Sequence, residues 1–156
     1  MRSNTSKPTV LYLDDEVQNL ETFAANFRRK YHVITSDSPI DAYNLLQDGG
    51  IDIVIADQNM PAMSGIEFLE TVANEFPEVE RILLTGYTEM VSVVEAVNKG
   101  KLFRILTKPF NLEEIGKVIG DATKMIAERL ETHQTMEALR RQNQQFEFLL
   151  RQRLLS

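Results

Sequence analysis

Short apolar runs alternate along this chain with segments whose apolar residues recur at helical spacing, and that alternation leaves few folds open. Residues 10–13 read as a buried strand, followed by a helix marked by Val17, Leu20, Phe23 and Phe27. Residues 31–35 are strand-like, and residues 39–47 helix-like, with Ser38 as cap and Gly49-Gly50 as stop. The most apolar run, residues 51–56, suits a central strand covered on both faces. A helix marked by Ile66, Leu69, Ala73 and Phe76 follows and is stopped by Pro77. Residues 82–84 give a fourth strand, residues 89–99 a fourth helix with Val91, Val94 and Val97 inward, and residues 103–106 a fifth strand. Five strand–helix units imply an α/β fold, a five-stranded parallel sheet wound on both sides by helices.

In such a sheet, ligands bind beyond the carboxyl ends of the strands, so the polar residues there carry the information. They are Asp14 and Asp15 after the first strand, Asp57 after the third, Thr85 after the fourth and Lys108 after the fifth. The second strand ends in Ser36-Asp37, expected at the sheet edge away from this group. One aspartate at a strand end is ordinarily a helix cap. Three that crowd one edge repel each other unless a divalent cation or a lysine neutralises them. Asp15 and Asp57 can each give an oxygen to a hard octahedral cation, and a backbone carbonyl just past Asp57 can give another, which is the ligand economy of Mg2+. An aspartate beside such a cation can attack a phosphoryl group, with the Lys108 ammonium and the Thr85 hydroxyl suited to stabilise its oxygens.

Composition narrows the alternatives. The 156 residues suffice for one domain plus an appendage. A net charge of −6 without a Lys/Arg run argues against a nucleic-acid binder. The absence of cysteine removes disulfides and thiolate metal sites, and His32 and His133 are too isolated to hold a metal. No apolar stretch reaches the roughly 18 residues of a membrane span, and the polar start lacks a signal-peptide core, so a cytoplasmic protein is expected.

Four motifs in order, each at a strand end, carry a resemblance: Val10-Leu11-Tyr12-Leu13-Asp14-Asp15-Glu16; Ile55-Ala56-Asp57-Gln58-Asn59-Met60-Pro61 with Met63-Ser64-Gly65; Leu83-Leu84-Thr85-Gly86; and Leu106-Thr107-Lys108-Pro109-Phe110. Together they resemble the receiver domain of two-component response regulators over roughly residues 9–125. The resemblance implies a flavodoxin-like strand order 2-1-3-4-5 and Asp57 as acceptor of a phosphoryl group from a sensor histidine kinase or phosphotransfer protein. It implies an Mg2+ (or Mn2+) site in which Asp15, Asp57 and the backbone carbonyl of Asn59 are direct ligands and Asp14 acts mainly through water. Thr85 and Lys108 would meet the phosphoryl group, and Asn59 and Tyr87 occupy positions that tune its lifetime. One departure stands out: where receivers commonly place a rotating Tyr or Phe, this chain has Ile105, with Phe103 on the same strand face as a substitute.

From Asn111, a suitable cap, helix-forming sequence without proline continues to about residue 155, roughly 65 Å at ~1.5 Å per residue. Ile115, Ile119, Ala122 and Ile126 suit a face against the sheet or a partner. Met136, Leu139, Asn143, Phe146 and Leu150 alternate spacings of three and four, a seam whose core Asn favours a dimer in fixed register. The expected organisation is a flexible tail over residues 1–8, a receiver domain over 9–125 and a dimerising coiled-coil extension over 126–156. The expected function is a phosphorylation-controlled switch, signalling through the face of the fourth helix, fifth strand and last helix towards an unspecified downstream target. Two other readings compete. A constitutive dimerisation scaffold leaves the complete acid, Thr and Lys set unexplained, and a phosphatase of the haloacid-dehalogenase kind needs Asp-x-Asp where this chain has Asp14-Asp15-Glu16.

Overall fold

The computed structural model describes residues 7–86, 93–94, 104–108 and 111–155. The elements are β1 (Thr9–Leu13), α1 (Val17–Phe27), β2 (His32–Ser36), α2 (Pro39–Gln47), β3 (Ile53–Asp57), α3 (Gly65–Glu75), β4 (Glu80–Thr85), β5 (Arg104–Thr107) and α4 (Leu112–Leu155). All five strands are parallel, in the order β2-β1-β3-β4-β5. Tyr87, Phe103 and the helix expected over residues 89–99, apart from 93 and 94, lie outside the described residues.

Every residue of β3 is buried, as a central strand covered on both sides requires. Alternation splits the strand side chains between two faces. Leu11, Leu13, Val54, Ala56 and Leu83 pack with Leu46 of α2 and Phe68, Leu69 and Val72 of α3. Tyr12 of the opposite face meets Phe23 of α1, ring centroids 4.7 Å apart. Ile115, Val118, Ile119 and Ala122 of α4 are buried too, and a Cβ on Gly116 would lie 3.4 Å from the Phe27 ring.

The helix starts are capped where the sequence offers a cap. Ser38 Oγ accepts from Asp41 N–H, Ser64 Oγ from Glu67 N–H, and Asn111 Oδ1 from both Glu113 and Glu114 N–H. Each such cap contributes about 1 kcal/mol by satisfying amides that the helix leaves open.

The helices bury the following faces, and that of the helix expected over residues 89–99 differs at Val94. In α1, Val17 is 55% exposed and the inward stripe begins at Leu20, because the first turn of a helix that follows a parallel strand lies over the strand ends rather than the sheet surface. In α3 the buried stripe is Gly65, Phe68, Leu69 and Val72, whereas Ile66, Ala73 and Phe76 lie half-buried at its margin. Gly65, at the start of that stripe, lies close against β3. Val94 is half-exposed, and its neighbour Val93 is the fully buried one. Adjacent helical residues point about 100° apart, so only one of the two valines can face the core.

The chain divides into two compact units, Met1–Ala122 and Thr123–Ser156. The first holds the sheet and the start of α4; in the second, the described residues of α4 expose Met136, Leu139, Phe146 and Leu150.

The close fit at Gly65 is testable. A Cβ there would lie 2.5 Å from the carbonyl oxygen of Asp57 and 2.7 Å from Leu83 Cδ1. Gly65→Ala is expected to lower unfolding stability by about 1–3 kcal/mol, the usual cost of overpacking, as measured by urea denaturation.

Candidate functional site

The strand register brings the functional residues to one edge. Leu13 pairs with Ala56, so Asp14 and Asp57 are level one step beyond that pair. Asp57 pairs with Leu84 and Thr85 with Thr107, which puts Thr85 and Lys108 on the neighbouring strand ends. One carboxylate oxygen each from Asp14, Asp15 and Asp57 lies within 4.8 Å of the others; Asp14 and Asp57 are buried, and Asp15 is exposed.

Lys108 Nζ stands 2.7 Å from Asp57 Oδ1. The contact is a charge-assisted pairing, and no other donor among the described residues reaches this buried oxygen. Burial pushes the Asp57 carboxyl above its ordinary pKa; Lys108 opposes this without cancelling it, and Asp14 and Asp15 add to the rise. Burial by itself would lower the pKa of Lys108, but Asp57 outweighs it, with Asp14 and Glu16 contributing, so the ammonium is held above its ordinary value. The Lys108 amide donates to the Thr85 carbonyl at 2.9 Å, which ties β5 to β4 beside the site. Thr85 is 1% exposed, and its hydroxyl donates to the Gly86 carbonyl at 3.3 Å, a long bond that leaves it able to turn to a better acceptor.

Three residues to which the sequence reading assigned no role shape this edge. Tyr12 Oη donates to Asp14 Oδ2 at 2.6 Å, and Asn19 Nδ2 donates to the same oxygen at 3.1 Å. Gln58 fastens the loop after Asp57: its amide donates to the Leu84 carbonyl, its carbonyl accepts from Gly65 N–H, and its Oε1 accepts from Ile66 N–H. A signal for Tyr12 existed, a lone hydroxyl in an aliphatic run two residues before Asp14 and on the same strand face. Asn19 and Gln58 carry none, since polar residues on helices and loops are ordinarily solvated.

The acidic cluster fits a divalent cation. Crowded carboxylates, a buried Asp57 oxygen whose one neighbour is the Lys108 ammonium, and an exposed acid at the mouth form a hard, oxygen-only donor set.

The family model described as the response regulator receiver domain matches residues 10–120. The chain belongs to the response regulator receiver family. Receivers are phosphoacceptors rather than multiple-turnover enzymes, and the family implies a histidine kinase as partner. The receiver here is 31% identical over 102 residues to the hydrogenase transcriptional regulatory protein HoxA of Cupriavidus necator, covering 65% of this chain and 21% of that protein. It is 36% identical to the crystal structure of an uncharacterized protein from Neptuniibacter caesariensis, with a TM-score of 0.75, over 80% of this chain and 93% of that one. The structure of an adenylate cyclase from Rhodopirellula baltica superposes with a TM-score of 0.80 at 25% identity, over 85% of this chain and 98% of that one. The chain spans 21% and 26% of the lengths of two HoxA regulators that it matches. No helix among the described residues is long and apolar enough to cross a membrane.

The raised Asp57 value has a signed consequence for stability. A carboxyl whose folded pKa lies above its unfolded one stabilises the fold in acid and loses that contribution as pH rises through the folded value, so at neutral pH the charged Asp57 is a burden. In thermal melts without divalent cations, Asp57→Asn is expected to raise the midpoint at pH 7, with a gain over the wild type that shrinks as pH falls towards 4.

Proposed function

We propose that this chain is a phosphorylation-controlled switch in a two-component phosphorelay, with Asp57 as the phosphoacceptor. The observation that carries this reading is the buried Asp57 carboxylate, 2.7 Å from Lys108 and clustered with Asp14 and Asp15. A carboxylate oxygen of Asp57 attacks the phosphorus of a phosphohistidine on a sensor histidine kinase or phosphotransfer protein. The new P–O bond forms as the P–N bond breaks, the imidazole leaves with the electron pair and takes a proton, and Asp57 becomes an acyl phosphate.

Asp15, Asp57 and the carbonyl of Asn59 would hold Mg2+ or Mn2+, with Asp14 outside the direct shell. The Gln58 carbonyl is already engaged by Gly65 N–H, which favours the next carbonyl along for that role. When bound, the cation supplies charge neutralisation for the phosphoryl oxygens. Lys108 exchanges its pairing with Asp57 for a phosphoryl oxygen, and the Thr85 hydroxyl turns from Gly86 to another. Asn59, exposed at the mouth, and Tyr87 are assigned to tuning the phosphoryl lifetime. Ile105 packs half-buried against the core formed with α2 and α3, so at this position the switch works by aliphatic repacking rather than by rotation of a ring.

We take residues 9–125 as the receiver, preceded by the tail 1–8 and followed by the extension 126–156. The extension is assigned to a parallel homodimeric coiled coil along Met136, Leu139, Asn143, Phe146 and Leu150. The exposure of its apolar members supports this, at 60% for Met136, 55% for Leu139, 63% for Phe146 and 45% for Leu150. Output then passes through the face around β5 and through α4 to a downstream target, in the cytoplasm where histidine kinases deliver their phosphoryl groups.

Two measurements test the proposal. Incubation with acetyl phosphate and Mg2+ should add one phosphoryl group to the intact mass. Asp57→Asn or removal of Mg2+ should abolish that gain, and Lys108→Ala should slow it on the order of 10²-fold; an unchanged mass in the wild type would refute phosphoacceptance. Sedimentation equilibrium should give a dimer that Phe146→Asp converts to a monomer.

A further inference from the structure

The acid that heads the cluster is clamped by the protein itself. Asp14 is completely buried and accepts three hydrogen bonds: Oδ2 takes the Tyr12 hydroxyl at 2.6 Å and Asn19 Nδ2 at 3.1 Å, and Oδ1 takes the Glu16 amide at 2.9 Å. Each carboxylate oxygen offers two lone pairs. Oδ2 is therefore saturated by side chains, and Oδ1 retains one acceptor direction. The hydroxyl is held firmly, since the Tyr12 ring is fully buried and rests on Phe23, which rests in turn on Phe27 at 4.8 Å. Burial and the bond to Asp14 push the Tyr12 hydroxyl far above its ordinary pKa, so it remains a donor throughout the physiological range.

We propose that Tyr12, with Asn19, is a positioning residue for divalent-cation binding: the two donors pin Oδ2 of Asp14 so that its one remaining acceptor direction, on Oδ1, serves a cation-bound water. The inference rests on the reading of Asp14, Asp15 and Asp57 as a cation site and gives a role to Tyr12 and Asn19, to which the motifs assigned none. The clamp stops the carboxylate from rotating to offer both oxygens to the metal, and direct coordination falls to Asp15 and Asp57. Groups that orient the ligands of a metal in this way carry about 10–100-fold in affinity.

The test is Mg2+ binding to the full chain by isothermal titration calorimetry, for the wild type, Tyr12→Phe and Asn19→Ala. Each variant is expected to weaken the Kd about tenfold while keeping the far-ultraviolet circular dichroism and cooperative melting of the folded protein. Because the chain has no tryptophan and four tyrosines, tyrosine absorption gives a second readout. Mg2+ should perturb that absorption in the wild type with the same midpoint as the heat, and Tyr12→Phe should lose most of the change. A Kd unchanged in both variants, even alongside a lower melting temperature, would mean a purely structural hydroxyl and overturn the proposal. Absence of Mg2+ binding in the wild type would overturn both this proposal and the cation-site reading. If Tyr12→Phe does not fold, Asn19→Ala, which replaces a half-buried side chain on α1, decides alone.

Discussion

Mutual repulsion among carboxylates at the end of a parallel sheet is the constraint around which this molecule is arranged. Asp57 and Asp14 are buried, within reach of each other and of Asp15, in a place where charge is costly. The fold tolerates this in two different ways. Asp57 has an ammonium beside it, and Asp14 has three hydrogen-bond donors. A group held by a single flexible ammonium can exchange its partner, whereas a group whose acceptor sites are nearly filled cannot move without breaking several bonds. Asp57 is thus suited to react and Asp14 to stay.

The scaffold explains why the two behaviours can sit a few ångströms apart. β3 is central and covered on both faces, so the backbone that presents Asp57 is rigid. Thr85 and Lys108 arrive on β4 and β5, joined by the Lys108 amide to the Thr85 carbonyl, and a change in what the Lys108 side chain pairs with is felt directly by β5. Arg104 of that strand pairs with Asp121 of α4 at 3.1 Å. Both partners are partly exposed, so the pair itself is weak. Its interest is positional, since it joins the strand beside the site to the helix that continues into the second unit.

Much of this was legible in the amino-acid sequence, for physical reasons that differ by element. The strands show as apolar runs because burial on two faces forbids polar residues, and their carboxyl ends show because charge reappears there abruptly. Caps such as Ser38 and Asn111 are readable since few side chains can reach back to the open amides of a first turn. Helix rotation was harder to read. Where two apolar residues are adjacent, as at Val93 and Val94, spacing alone does not say which one meets the sheet, and in α3 no periodicity encodes the close approach of Gly65 to the Asp57 backbone. Tyr12, Asn19 and Gln58 escaped for a related reason: their roles are defined by the atom each one reaches, not by their residue type. The expected aromatic at position 105 is an aliphatic residue in the sequence itself, and the structure adds that this Ile105 packs with the core shared by α2 and α3.

Gln58 and Gly65 bracket the loop that carries Asn59. At one end Gln58 is bound to β4 through its amide and to the start of α3 through its side chain; at the other, Gly65 sits against the carbonyl of Asp57 with no room for a methyl group. With its ends fixed to β4 and β3, the span of this loop is set by the scaffold. An exposed side chain in the interval, such as Asn59, can therefore change what surrounds the reactive carboxylate, whereas Met60 and Met63 pack on the core and Ser64 caps α3, and an inserted or deleted residue would shift the Asn59 carbonyl itself. Variation by substitution, with length held constant, is the route by which such a loop can change chemistry without losing its register.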